Sequence, residues 1–227
     1  MASVNKPNHA ALMDDVYRHQ RYIYDLTRKY YLFGRDRLIC ELDLKPGERL
    51  IEVGCGTARN LIAIARRYPG ARLYGLDASR EMLKTAEQAI ARAGLSGRIK
   101  LIQAYAETLS PALFGEEEPF DRAVFSYSLS MIPDWRQALK AANAALGPNG
   151  RIHVVDFGDL SGLGPLFAGL LRAWLRQFHV EPRVEILRGL ESHVAANDHS
   201  GNDLRILFAR YAFVFSCTRD GVLWIAD

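Results

Sequence analysis

Cysteine is scarce and scattered in this chain. Cys40, Cys55 and Cys217 are the only three among 227 residues, an odd number, far apart, with no C-x-x-C pair. That pattern argues against a disulfide framework or a zinc site, so no metal is expected, and it fits a reducing, cytoplasmic compartment. Long apolar runs are also missing: none approaches the ~18 residues that cross a bilayer. The opening MASVNKPNHAALMDD has no apolar h-region, so a secretory signal is not expected. Charge of one sign is not in large excess, the net value being +3. With no separate basic domain, and no N/D-P-P-Y-like tetrad after the fourth strand-like run, nucleic acid is disfavoured as a partner. What remains is ordinary for a globular protein, 49% hydrophobic and 24% charged, at a length that suits one well-cored domain.

Apolar runs alternate with helical patterns. Strands are expected at 50–53, 71–77 (ARLYGLD), 98–104 (RIKLIQA), 120–128 (FDRAVFSYS) and 151–157 (RIHVVDF), with helices at 59–68, from Ser79 to about 93, and at 133–146. Alternation of this kind predicts an α/β fold with a parallel sheet and right-handed crossovers. The ending differs. An amphipathic helix within 162–180 precedes a polar stretch around 191–203. Two β-rich runs follow, 204–218 and 221–227, with a turn at Arg219-Asp220, and they predict an antiparallel hairpin at the sheet edge. Ahead of the first strand, 13–41 carries a helical pattern with Asp14 and Asp15 at its start and a break at Gly34. Residues 1–12 read as a mobile tail and 13–227 as a single domain, with 13–43 a helical cap over the site.

The chain is organised around RLIEVGCGTARN (49–60). Glycine at Gly54 and Gly56 permits φ > 0 and lets a ligand approach where a Cβ would collide. Unpaired N–H groups at the start of the following helix face the same point. The dinucleotide fingerprint G-x-G-x-x-G is not met, because its third glycine is Arg59 and because Glu52 would repel a pyrophosphate. A carboxylate there suits a cation such as an α-amino group or a sulfonium. EVGCGTA resembles the nucleoside-binding turn of class I S-adenosylmethionine-dependent methyltransferases, with Ala58 at the third small position. The resemblance implies a Rossmann-like, seven-stranded, mostly parallel sheet with a C-terminal antiparallel hairpin and an N-terminal helical cap, using S-adenosyl-L-methionine.

Within that frame Asp77, 21 positions after Gly56, has the spacing of a carboxylate that accepts bonds from two ribose hydroxyls. Glu52, Gly54, Cys55, Gly56, Asp77, Ala78, Met82, Ala106, Glu107 and Ser126 form the expected cofactor site, joined by Tyr17, Tyr31 and Arg35 from the cap. Met82 faces either adenine or the core. Tyr105 stands where the family often has an Asp, which leaves the Ala106 N–H beside Glu107 to read the ring. Ser126, Tyr127 and Ser128 leave the fourth strand at the edge where open α/β sheets bind ligands. Methyl transfer from a sulfonium is an in-line displacement in which the cofactor carries the activated group and the protein positions the reactants. Tyr127, Tyr24 and Asp156 are the catalytic candidates. His153, His179, His193 and His199 are unranked alternatives to Asp156 as proton acceptor.

Tyr17, Tyr24 and Tyr31 stand seven apart on one helical face. Such a stripe either holds a methylated ammonium, at roughly 0.5–2 kcal/mol per contact, or packs into the core. The string YRHQRYIYDLTRKYYLFGRDRLI, followed by EVGCGTARN, resembles BtaB-type enzymes of bacterial betaine-lipid synthesis. That resemblance implies repeated methylation of the amine of diacylglyceryl-N-homoserine to the betaine lipid DGTS, with a lipid carrying an amino-acid headgroup as substrate. Leu166, Phe167, Leu170, Leu171, Trp174, Leu175 and Phe178, flanked by Arg172 and Arg176, either make the protein peripheral at an anionic membrane or cover the sheet. Other acceptors, such as a phospholipid amine or a quinone carbon, and a non-catalytic cofactor-binding subunit are the competing readings.

Overall fold

A computed structural model describes residues 32–176, 183–196 and 202–219. Its strands are β1 (Arg49–Val53), β2 (Arg72–Asp77), β3 (Ile99–Gln103), β4 (Phe120–Ser126), β5 (Leu146–Phe157), β6 (Asp203–Leu207) and β7 (Ala212–Thr218). They form one sheet in the order β3-β2-β1-β4-β5-β7-β6. The first five are parallel, and β7 runs antiparallel to both β5 and β6. The helices are α1 (Arg35–Cys40), α2 (Arg59–Arg67), α3 (Arg80–Arg92), α4 (Trp135–Ala144), α5 (Pro165–Arg176) and α6 (Val184–Ala196). The expected seven-stranded α/β architecture is therefore present.

Both sheet faces are covered, which is why the central strands read as nearly continuous apolar runs. Leu50 packs with Leu61, Ile64 and Leu83 on one side, while its neighbour Ile51 packs with Trp135 and Leu139 on the other, as the two-residue period of a strand requires. After β1 the chain builds outward to β2 and β3, then crosses back to lay β4 on the opposite side of β1. The strand order reverses there, and the C-terminal ends of β1 and β4 open a crevice. Local signals set the boundaries as anticipated. Ser79 caps α3, its Oγ accepting from the Met82 N–H at 3.3 Å, and Gly34 adopts φ +85 immediately before α1.

Two expectations need correction. The hairpin lies wholly within 203–218, one run earlier than the sequence suggests, because Phe208, Ala209 and Arg210 all take positive φ (49, 51 and 64) and split the β-rich stretch. None of them is a usual turn residue, and left-handed backbone costs such residues roughly 1–2 kcal/mol each. Residues 221–227, where the second strand is expected, lie outside the described residues. The polar stretch around Glu191 is also helical, in α6, because Ile186, Leu187 and Leu190 give it a buried face. Residues 1–31, where the mobile tail and most of the helical cap are expected, lie outside the described residues.

Candidate cofactor site

The turn after β1 builds the site. Gly54 takes φ +74, and a Cβ there would sit 2.6 Å from the Ser128 Cβ, so only glycine lets the turn lie against the β4 exit. Ala58 takes φ 60 at the N-cap of α2 and is fully buried, which explains why the third small position favours glycine. Arg59 then starts α2 with its side chain outward, so the position that breaks the dinucleotide fingerprint is exposed rather than packed.

Glu52 is 1% exposed, and its Oε1 accepts from Asn60 Nδ2 at 2.7 Å. Asp77, at the end of β2, accepts from the Gly56 N–H through Oδ2 at 2.8 Å and from the Ser79 N–H through Oδ1 at 2.9 Å. These bonds lock the carboxylate beside the glycine turn, and a carboxylate oxygen can accept more than one hydrogen bond. Cys55 lies between the two acids. Burial, then Asp77 and Glu52, push its thiol well up, so it stays protonated and serves as a small buried packing group.

A cleft with about 400 Å³ of space continuous with solvent opens over this turn, lined by Leu32, Arg35, Glu52, Gly54, Cys55, Thr57, Arg59, Asn60 and Ser126. Arg35 and Glu52 thus present a cation and an anion to one space, matching the carboxylate and ammonium of an amino-acid group. Ser126 Oγ is buried without a hydrogen-bond partner, and such a group is normally satisfied by water or a ligand. These features fit S-adenosyl-L-methionine. Asn60, Thr57, Arg59 and Leu32 are lining residues that the sequence reading misses. Asn60 had a usable signal, since an amide in the first turn of the helix after the glycine turn is within reach of the strand-end acid.

The other predicted residues are dispersed. Ala78 is half-buried, and its carbonyl accepts from Gln103 Nε2 at 3.1 Å. Met82 is 3% exposed and belongs to the buried face of α3, which favours its core reading. Ala106 and Glu107 form a short 3-10 turn after β3, with Ala106 buried and Glu107 half-buried. Tyr17, Tyr24 and Tyr31 lie outside the described residues.

The catalytic candidates at the strand ends are both buried. Tyr127 is 2% exposed with φ 55, and its hydroxyl donates to the Phe33 carbonyl at 2.6 Å. That bond ties the segment before α1 to the end of β4. Asp156 is 1% exposed and accepts from the Ser130 N–H at 3.0 Å and the Phe157 N–H at 2.8 Å, bracing the loop after β4. Burial raises its pKa to about 6. Its carboxylate is buried against that loop. His153 lies in mid-strand and is 5% exposed; burial, then Arg122 and Arg151, lower its pKa to about 3, so it stays neutral. His179 and His199 lie outside the described residues, as does the side chain of His193. Among the described residues no cluster of metal-ligating groups occurs and no helix is long and apolar enough to cross a membrane.

A sheet of this order, with an acidic strand-end pair around a glycine turn, defines a class I methyltransferase. Comparisons with known proteins agree. Residues 50–150 match a family model described as a methyltransferase domain. Over 203 residues the chain is 32% identical to the ubiquinone/menaquinone biosynthesis C-methyltransferase UbiE of Syntrophotalea carbinolica, covering 87% of this chain and 80% of that protein. It is 33% identical to the demethylmenaquinone methyltransferase of Geobacillus kaustophilus over 55% of this chain and 52% of that one. Among solved structures, the S-adenosylmethionine-dependent methyltransferase SibL aligns with a TM-score of 0.64 at 24% identity, over 88% of this chain and 58% of SibL. The chain belongs to the S-adenosylmethionine-dependent methyltransferase family, and its cofactor is S-adenosyl-L-methionine.

Proposed function

We propose that the methyl acceptor is lipidic, and that it is the amine of diacylglyceryl-N-homoserine, methylated in successive turnovers to the betaine lipid DGTS. The observation that carries this reading is the string at 17–39, YRHQRYIYDLTRKYYLFGRDRLI, with tyrosines and arginines suited to a headgroup bearing both a carboxylate and an increasingly methylated ammonium. A second reading has an observation of its own. Two of the relatives named above are a ubiquinone/menaquinone biosynthesis C-methyltransferase and a demethylmenaquinone methyltransferase, and they support a quinone-ring carbon as acceptor more strongly than they support the amine lipid.

In either case bound S-adenosyl-L-methionine supplies the activated methyl group. Asp77, held by the Gly56 and Ser79 N–H groups, binds the ribose hydroxyls. Arg35 and Glu52 hold the amino-acid end. Tyr127, by fixing Phe33, keeps Leu32 and Arg35 at the cleft, so catalysis is mainly positioning of the two reactants.

Purified protein should be incubated with labelled S-adenosyl-L-methionine and, in parallel, diacylglyceryl-N-homoserine or a demethylated quinol, and the products identified by mass. The amine reading expects one-, two- and three-methyl products from the homoserine lipid. Product from the quinol alone would replace it with the second reading, and label in neither would overturn the lipidic acceptor.

A further inference from the structure

Large apolar side chains stand exposed beside the cleft end of the sheet. Leu166 and Leu170, one turn apart on α5, are 80% and 64% exposed; Phe208, on the β6–β7 turn, is 59% exposed and Phe33 is 41%. The positions connect. The Phe33 and Phe208 rings lie 4.7 Å apart. In the loop leading to α5, a Cβ on Gly162 would meet the Ala209 carbonyl oxygen at 2.6 Å. Arg172 of α5 donates to the Asp159 carbonyl at 2.9 Å in the same loop.

Helix α5 has two faces. Ala168 and Leu175 are buried against the core, while Leu166 and Leu170 point the opposite way, with exposed Arg176 on the flank. Packing over the sheet therefore accounts for one face only. The β6–β7 turn adds a second, independent observation. Three consecutive non-glycine residues take left-handed backbone there, pinned by Arg210 between Asp159 and Glu191 at 2.8 Å each. Those pairs hold the strained turn in place, and the Phe208 ring on it stays exposed.

We propose that this rim docks on the surface of an anionic phospholipid bilayer, with Leu166, Leu170 and Phe208 entering the acyl boundary and Arg176 meeting the headgroups. Docking there places the cleft mouth at the membrane, so a lipidic acceptor reaches it without first crossing water. The inference rests on the lipidic-acceptor reading.

The test uses the full chain, sedimented with vesicles of phosphatidylcholine alone or mixed with phosphatidylglycerol. The wild type should bind the mixed vesicles. The triple variant Leu166→Ser, Leu170→Ser, Phe208→Ser should lose at least about tenfold in bound fraction, and Arg176→Gln about fivefold. S-adenosylhomocysteine binding by calorimetry should be unchanged in both, which separates lost docking from lost folding. Equal partition of wild type and triple variant, or no binding to mixed vesicles, overturns the proposal. So does a wild-type dimer in sedimentation velocity that the triple variant dissolves, because a second copy would then cover the face. Failure on vesicles with methylation of a detergent-dispersed lipid removes only the docking surface; docking without methylation of any lipid removes only the acceptor reading.

Discussion

The two halves of the sheet meet at one cleft but are held together differently. From β1 to β3 the bonds that hold the Asp77 carboxylate close within neighbouring strand–helix units. Gly56 donates to Asp77 21 positions on, and Ser79 caps the helix that it begins. From β5 to β7 the decisive contacts are made by side chains from separate elements. Arg210 reaches 51 positions back to Asp159 and 19 back to Glu191 to hold a turn that its own residues disfavour. The cofactor half depends on local backbone geometry, and the hairpin half on side chains from elsewhere in the chain.

The largest effect should come from breaking the local geometry. Gly54→Val puts a branched side chain at φ +74 against Ser128. It should remove S-adenosylhomocysteine binding below calorimetric detection and cost ~4 kcal/mol or more in urea unfolding, backbone strain and overpacking together.

Next in size is the pH response of β5. His153, ordinarily near 6.5 and here about 3, contributes stability that is complete above pH 6.5 and lost as pH falls toward 3. Asp156, ordinarily near 3.8 and here about 6, acts oppositely: its folded site favours the neutral acid, so stability rises as pH falls from 6 toward 3.8. Between pH 6 and 4 the two slopes, each about 1.4 kcal/mol per pH unit, offset one another. In His153→Gln only the Asp156 slope remains. The variant should therefore gain about 3 kcal/mol relative to wild type between pH 6 and pH 4, measured by urea unfolding at each pH.

Arg210→Ala should destabilise by roughly 1 kcal/mol, because its ion pairs are partly solvated, and leave S-adenosylhomocysteine binding unchanged. The same loss of affinity as in Gly54→Val would mean that the halves are not separable. The smallest effects form a matched pair. Ala58→Gly and Ala209→Gly each place glycine at a left-handed position, φ 60 and 51, and each should stabilise by up to ~1 kcal/mol in thermal unfolding.

The same division explains what could be read from residues alone. The turn at 49–60, the acidic end of β2 and the Ser79 cap all announce themselves within a few positions, and the structure places them as anticipated. The hairpin turn does not, because Phe208, Ala209 and Arg210 carry no turn chemistry and their anchors are remote. Helix α6 is hidden by a polar surface and by Gly189 within it. Tyr127 and Asp156 stand at the expected strand ends, yet their polar atoms are committed elsewhere, to a carbonyl 94 positions away and to the loop after β4. A strand-end position can be inferred from pattern, but which partner occupies a lone pair depends on tertiary contacts.

The central claim, that the Glu52–Gly54–Gly56–Asp77 turn binds the sulfur nucleoside, is tested most directly by titrating S-adenosylhomocysteine into the full chain in a calorimeter. The account predicts one site per chain, weakened by about 100-fold or more in Asp77→Ala as two hydroxyl bonds to a charged acceptor are lost. No heat with the wild type, or equal affinity in Asp77→Ala, would contradict it.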